Sequence, residues 1–151
     1  MCGFVGFFPC APGQDSERIL LGMASALKHR GPDSDGSWID AEDKVALAHR
    51  RLSVVDLSQH GSQPMVSPSG QYVIVYNGEI YNHLSIRQLI SDPPGGWRGS
   101  SDTETLLAAI EKWGIVEALS RVVGMFAFAL WDRQRKTLTL ARDRLGEKPL
   151  Y

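Results

Sequence analysis

Apolar residues at the start of the chain follow first a strand-like and then a helix-like pattern. The apolar run at residues 3–8 predicts a buried strand. At residues 16–29 the apolar side chains recur at helical spacing, and Gly31 and Pro32 follow as helix breakers. We therefore expect one strand and one helix before residue 33.

The next segment is rich in β-favouring residues. Short runs at residues 36–39 and 45–49 predict two strands. A third run, residues 72–76, is unbroken and is followed by Asn77 and Gly78, a pair that is typical of a turn. We therefore expect the third strand to end at residue 76.

Two helices are predicted in the following part. Residues 82–90 form the first, ahead of a proline- and glycine-rich breaker at residues 92–96. The second begins at Ser101, which has capping-box spacing to Glu104, and it ends at Gly114.

Residues 125–131 and 137–142 predict a closing hairpin of two strands. Strands thus bracket the helices without regular βαβ alternation, which favours an α+β layered fold over a doubly wound one. The length of 151 residues is that of about one domain, and we expect residues 1–151 to form it.

The composition limits the classes of partner that we expect. The 16 Lys and Arg nearly balance the 17 Asp and Glu, so no overall charge favours a nucleic acid or a membrane. Cys2 and Cys10 do not make a disulfide framework, and the four histidines lack metal-ligand spacing. No apolar run approaches the roughly 18 residues of a membrane span. We expect a cytoplasmic protein without a metal, whose partner is a small molecule or another domain.

Cys2 is the first candidate for chemistry. If Met1 is removed, Cys2 carries a thiol and a free α-amino group. Because an α-amino group ordinarily titrates at about pH 8, it can accept the thiol proton during attack on a carbonyl. A cysteine at the second position could also be accidental, so further residues must decide.

Seven short motifs follow one another in the order of a known enzyme family. They are residues 1–6 (MCGFVG), 29–33 (HRGPD), 48–53 (AHRRLS), 76–82 (YNGEIYN), 101–104 (SDTE), 124–129 (GMFAFA) and 141–146 (ARDRLG). With them the chain resembles the glutaminase domain of class II glutamine amidotransferases, which use an N-terminal nucleophile. The resemblance is strongest to the glutamine-hydrolysing asparagine synthetases.

The resemblance implies a fold and a reaction. The fold is the four-layer αββα sandwich of N-terminal nucleophile hydrolases. The reaction is hydrolysis of glutamine to glutamate and ammonia through a γ-glutamyl thioester on Cys2. In the full-length family members the ammonia serves ATP-dependent asparagine synthesis from aspartate. A C-terminal synthetase domain, with ATP and Mg as its cofactors, would then lie outside these residues, and the glutaminase domain itself needs no cofactor. A homodimer is a candidate assembly.

The resemblance also assigns roles to residues. Cys2 is the nucleophile, and the Asn77 side chain and Gly78 backbone amide stabilise the oxyanion. Taken alone, Asn77-Gly78 could be an ordinary turn.

Substrate binding is implied for a second group. Arg51 matches the family's carboxylate-binding arginine, since a guanidinium can hold a carboxylate by two parallel bonds. Asp102 matches the acid that pairs with the α-ammonium group, with Glu79 as a second contact. Leu52 and Val55 complete the implied substrate-binding set.

Several alternatives remain. Arg30 and Arg50 compete with Arg51, and Asp102 could instead cap a helix. Residues 92–99 form a shorter, more glycine-rich bend than the family pattern leads us to expect.

The function is also open at two points. The ammonia acceptor could be a sugar acid of surface polysaccharide assembly instead of aspartate. The chain could be an amidase for another amide, or, if Met1 is retained, a non-catalytic domain.

Overall fold

The fold is built on two antiparallel sheets. The structure is a computed structural model, and it describes residues 2–9, 15–53, 58–93 and 95–151. The strands are β1 Gly3–Phe7, β2 Ser34–Asp40, β3 Val45–Arg51, β4 Met65–Val66, β5 Tyr72–Ile80, β6 Gly124–Asp132 and β7 Thr137–Arg142. The helices are α1 Ser16–Ala26, α2 His83–Ile90, α3 Asp102–Trp113 and α4 Ile115–Arg121, with a short 3₁₀ helix at Gln59–Gly61.

Three apolar clusters separate four layers. One sheet has the order β1-β3-β2 and the other β4-β5-β6-β7. Leu20 of α1 packs on Ala46 and Ala48 of the first sheet. Leu47 and Val75 belong to the cluster between the two sheets. The largest cluster joins the second sheet to α2, α3 and α4. The layers are therefore α, β, β and α, and the predicted sandwich is confirmed.

Alternation along the strands decides which side chains face the space between the sheets. Leu47 of β3 faces that space, so Arg51, four residues on, lies on the same face. Val75 of β5 also faces that space, so Asn77, two residues further on, lies on the same face. Phe4 of β1 packs there too, and Cys2 precedes it by two residues. Three predicted site residues thus share one interior face.

Two strands continue at least two residues past their predicted ends. β3 continues through Arg51, past residue 49, and β5 continues to Ile80, past residue 76. The expected turn at Asn77-Gly78 is therefore wrong. A Cβ on Gly78 would lie 2.3 Å from the Met125 carbonyl oxygen, so this glycine permits close approach of β6 and does not make a turn.

The helices differ from prediction mainly at their ends. α1 ends at Ala26, three residues early. α3 begins after Ser101, whose side chain accepts a bond from the Glu104 amide, so Ser101 and not Asp102 is the cap. The Glu104 carboxylate instead accepts bonds from the amides of Arg98 and Gly99 in the predicted bend. α4 and β4 were not predicted, because they have seven and two residues.

The described residues contain no helix that is long and apolar enough to cross a membrane. Among the same residues, no group of three or more His, Cys, Asp or Glu side chains could hold a metal ion.

Candidate active site

A cavity of about 140 Å³ lies where the ends of β3 and β5 meet the start of α3. Its lining residues are Cys2, Arg51, Leu52, Gly61, Gln63, Tyr76, Asn77, Gly78, Glu79, Ser101, Asp102, Thr103, Met125 and Lys148. Seven of the eight predicted site residues are among them. The eighth, Val55, lies outside the described residues, as do Met1 and Cys10.

The Cys2 thiol rests against the backbone of Leu52. The Leu52 amide donates to Cys2 Sγ over 3.3 Å, and the thiol can donate to the Leu52 carbonyl oxygen over 3.5 Å. The amide is suited to a thiolate and the carbonyl to a thiol. Leu52 therefore contacts the nucleophile by its backbone.

Gly78 turns its backbone polar groups away from β6. Its partner in β6 is Phe126, whose amide donates to Asp143 Oδ2 and whose carbonyl oxygen accepts from the Asp143 amide. Both backbone polar groups of Phe126 thus point away from β5, toward the residue that follows β7. In an antiparallel pair of this kind, the N–H and C=O groups of the opposite residue also point away from the partner strand. The Gly78 amide therefore faces the free edge of β5, at the cavity.

The neighbouring outward amides of β5 are already bonded. The Tyr76 amide donates to Gln63 Oε1 over 2.6 Å. The Ile80 amide donates to Asp102 Oδ2 over 2.9 Å. Between them, the Gly78 amide has no hydrogen bond to any residue in the described part of the chain. It is therefore available to a ligand.

The Asn77 side chain adds a second donor. It lies on the face between the sheets, is 7% exposed, and makes no hydrogen bond within the described ranges. A side-chain amide and a backbone amide on consecutive residues, both open to one cavity that also holds Cys2, can meet an oxyanion formed there.

Arg51 is fixed at the end of β3. Its Nη1 donates to the Ser58 carbonyl oxygen over 2.7 Å, and its own carbonyl oxygen accepts from the Asp33 amide. Gly31 lies against this strand end, since a Cβ there would be 2.3 Å from the carbonyl carbon of Arg50. The motif at residues 29–33 therefore packs beneath the guanidinium-bearing strand.

The competing arginines lie elsewhere. Arg50 points to the opposite face of β3, where it donates to the Ala24 carbonyl oxygen and pairs with Asp35 at 3.0 Å. Arg30 lines a larger, adjoining groove, which shares Cys2 and Asn77 with the cavity. Of the three arginines, Arg51 alone is a lining residue of the cavity.

Asp102 enters the cavity from the first turn of α3. Its Oδ2 accepts from the Tyr76 hydroxyl over 2.8 Å and from the Ile80 amide. Burial, reinforced by the negative charge of Asp102, raises the pKa of Tyr76, so its hydroxyl stays protonated and donates. Asp102 is 5% exposed, whereas Glu79 is exposed and lies at the mouth of the cavity.

The segment at residues 143–148 also reaches the cavity. The Asp143 carboxylate accepts hydrogen bonds from the amides of Leu145, Glu147 and Lys148. Although desolvation opposes this, the bonds from the amides of Lys148, Glu147 and Phe126 lower the pKa of Asp143 to about 2. The bonds from within the segment fold it so that Lys148, 4% exposed, becomes a lining residue.

Sequence reasoning missed several lining residues, among them Gln63, Tyr76, Thr103 and Lys148. Tyr76 and Thr103 lie inside motifs that were identified, but no local pattern indicates that their side chains contact the site. Gln63 and Lys148 fall outside the motifs.

Comparisons with known proteins agree with this geometry. A family model described as "Glutamine amidotransferase domain" matches residues 1–151. The chain belongs to this family of glutamine amidotransferase domains. The resemblance inferred from the motifs is confirmed.

Curated relatives of this glutamine amidotransferase domain are much longer proteins. It is 42% identical to asparagine synthetase [glutamine-hydrolyzing] 1 of Bacillus subtilis and 39% identical to asparagine synthetase B [glutamine-hydrolyzing] of Escherichia coli. It is also 36% identical to amidase chry2 of Gibberella zeae. Each comparison covers the whole chain, but only 24%, 26% and 24% of the respective relative. The chain thus spans about a quarter of their length.

A solved structure confirms the fold. The glutamine phosphoribosylpyrophosphate amidotransferase of B. subtilis, complexed with ADP and GMP, matches this glutamine amidotransferase domain with a TM-score of 0.74. The match covers 95% of this chain and 37% of that one at 19% identity. At this identity the likeness concerns the fold alone.

Proposed function

We propose that this domain hydrolyses the side-chain amide of glutamine and releases ammonia. The observation that supports this best is that one cavity holds a cysteine close to the N-terminus, two amide donors that bond to no residue in the described ranges, and two oppositely charged side chains. These are Cys2, the donors of Asn77 and Gly78, and the Arg51 and Asp102 side chains.

In the proposed reaction, the Cys2 sulfur attacks the amide carbon of glutamine. After removal of Met1, the α-amino group of Cys2 takes the thiol proton and passes it to the departing ammonia. The Asn77 and Gly78 donors bind the oxyanion of the tetrahedral intermediate. Water then attacks the γ-glutamyl thioester, which forms glutamate and restores the thiol. The Leu52 amide, 3.3 Å from Sγ, is placed to stabilise the thiolate before it attacks the amide and when it leaves the thioester.

Recognition of glutamine needs both charges at its other end. We assign its α-carboxylate to Arg51, whose guanidinium is held by Ser58, and its α-ammonium group to Asp102. Glu79, at the mouth of the cavity, is the proposed second contact to the ammonium group. Leu52 and Val55 stay in the proposed substrate-binding set.

We further propose that the whole protein passes the ammonia to aspartate. Two of the relatives above are named as glutamine-hydrolyzing asparagine synthetases, and the chain spans about a quarter of their length. The remainder would supply the synthetase domain with its ATP and Mg. A sugar acid stays the alternative acceptor. Amidase chry2, a relative at similar identity, is not named as an asparagine synthetase. Cytoplasmic location and a homodimer remain predictions.

The glutaminase assignment is tested by changing Cys2. Cys2→Ala removes the nucleophile, and Cys2→Ser replaces the thiol by a much less acidic hydroxyl. Both variants should fold, as judged by circular dichroism, and should release no ammonia from glutamine. Mass spectrometry of the intact wild-type protein should show loss of Met1. Retention of more than a few per cent of the wild-type rate in either variant would refute the assignment of Cys2 as the nucleophile.

A further inference from the structure

Tyr76 is hydrogen-bonded to three other residues, two of which line the cavity. Its amide donates to Gln63 Oε1 over 2.6 Å, and its carbonyl oxygen accepts from His49 Nε2 over 3.0 Å. Its hydroxyl donates to Asp102 Oδ2 over 2.8 Å. One residue next to the proposed oxyanion donors thus also contacts the proposed ammonium-binding carboxylate.

These bonds close a ring. Gln63 Nε2 donates to Thr103 Oγ1 over 3.2 Å, and Thr103 follows Asp102 in α3. The ring therefore runs from the Tyr76 amide through Gln63 and the start of α3, and it returns through Asp102 to the Tyr76 hydroxyl. All four members are less than 10% exposed. Hydrogen bonds in such surroundings are stronger than in water and restrict the positions of their partners.

The ring fixes the orientation of the Asp102 carboxylate. The Tyr76 hydroxyl and the Ile80 amide both donate to Oδ2. Oδ1 has no hydrogen bond to a residue that the structure describes, while Asp102 lines the cavity. Two donors on one oxygen define the plane of the carboxylate and leave the other oxygen for a ligand.

We propose that Tyr76 is a positioning residue whose hydroxyl orients the Asp102 carboxylate toward the α-ammonium group of the substrate. Tyr76 then controls selectivity for an α-amino acid amide and not the chemistry at Cys2. This inference rests on the proposed hydrolysis of glutamine. It adds the residue that sets the geometry of the ammonium subsite.

The test compares two substrates in the Tyr76→Phe variant. Glutamine carries the α-ammonium group, and glutaramic acid is the same molecule without it. Loss of a charge-assisted hydrogen bond should lower kcat/KM for glutamine about tenfold, mainly through KM. The kcat/KM for glutaramic acid should stay within about twofold of wild type, because that substrate does not use Asp102. If turnover of glutaramic acid is too slow, its inhibition constant against glutamine replaces kcat/KM.

Tyr72→Phe is the matched control. Tyr72 lies on the same face of β5, four residues away, and its hydroxyl makes no hydrogen bond in the described part of the chain. Both substrates should react as in the wild type. Replacing Tyr76 by 4-aminophenylalanine, which keeps a donor at the same place, should retain the preference for glutamine even if Tyr76→Phe folds poorly.

Three results would overturn the inference. They are an equal loss for both substrates in Tyr76→Phe, no loss for either, or loss of the preference with 4-aminophenylalanine. These results leave glutamine hydrolysis by the wild type intact. A wild-type protein that does not hydrolyse glutamine, or full activity in Cys2→Ala, would instead refute the proposed function and this inference with it.

Discussion

Arg51 and Asn77 occupy the same cavity but are expected to act at different stages. The Arg51 guanidinium would bind the α-carboxylate in both the ground state and the transition state. The Asn77 amide, unbonded within the described ranges, would strengthen its contact only when the oxyanion forms. Substitution should therefore separate the two kinetic constants.

We expect Arg51→Ala to raise KM for glutamine by about tenfold or more, since a hydrogen bond to a charged group contributes roughly 1.5 to 3 kcal/mol. Asn77→Ala should instead lower kcat by about 10² to 10³. Steady-state assays of ammonia release measure both constants. Arg50→Ala, on the opposite face of β3, is the control and should leave KM unchanged. A kcat effect alone for Arg51 would show that its assigned role is wrong.

At the scale of an element, β5 links recognition and chemistry on one edge. Its successive outward amides at Tyr76, Gly78 and Ile80 serve the hydrogen-bond ring, the proposed oxyanion site and the Asp102 carboxylate. This arrangement requires that the strand continue through Asn77-Gly78 beside β6. The close approach at Gly78 makes that continuation a packing property, which can be perturbed directly.

Gly78→Ala should destabilise the protein and lower kcat. The new Cβ would lie 2.3 Å from the Met125 carbonyl oxygen, so β5 and β6 must separate, at a cost of about 1 to 3 kcal/mol. Urea unfolding measures the cost, and ammonia release measures kcat.

The matched control is Gly22→Ala in α1, where a Cβ would meet nothing within 4 Å. This change should stabilise the protein by about 0.4 to 1 kcal/mol and leave kcat unaltered. A wild-type stability and kcat in Gly78→Ala would contradict the packing argument.

The sequence predicted most elements but not how they meet. Helical periodicity and the Ser101 cap located α1 to α3 because those signals are local. At Asn77-Gly78 the local turn preference was misleading, since pairing with β6 overrides it. The placement of Cys2, Arg51, Asn77 and Asp102 in one cavity was expected from the family motifs and not from periodicity. The Tyr76 to Asp102 bond spans 26 positions, and no spacing rule predicts it.

At the scale of the whole molecule, a buried histidine links the two sheets. His49 of β3 donates from Nε2 to the Tyr76 carbonyl oxygen in β5, and Nδ1 has no hydrogen-bond partner in the described part of the chain. Burial lowers the pKa of His49 to about 4. The bond to Tyr76 opposes this shift, and the charge of Arg51 adds to it. His49 is therefore neutral in the folded protein at neutral pH.

This burial makes stability depend on pH. Below about pH 6.5 the unfolded chain binds a proton at His49, whereas the folded protein does so only near pH 4. The unfolded state thus binds more protons across this window, so the free energy of unfolding falls as the pH falls, by about 3 kcal/mol in total.

His49→Gln should remove that contribution, because glutamine can donate to the same carbonyl and does not titrate. Urea unfolding of both proteins at intervals from pH 7 to pH 4 measures the difference. Between pH 7 and pH 4 the free energy of unfolding of the wild type should fall by about 3 kcal/mol more than that of the variant. Parallel curves would show that His49 does not carry the pH dependence.

The alternating amides of β5 also set a fixed spacing along the site. The Gly78 and Ile80 amides are two residues apart, which in a strand is about 6.8 Å. In the proposed binding mode, the first marks the position of the reacting carbonyl and the second, through Asp102, the position of the α-ammonium group. The backbone thereby sets the separation between the two ends of the substrate. In that binding mode asparagine, which is shorter by one methylene, would not match the separation as glutamine does, and the discrimination would follow from the repeat of the strand itself.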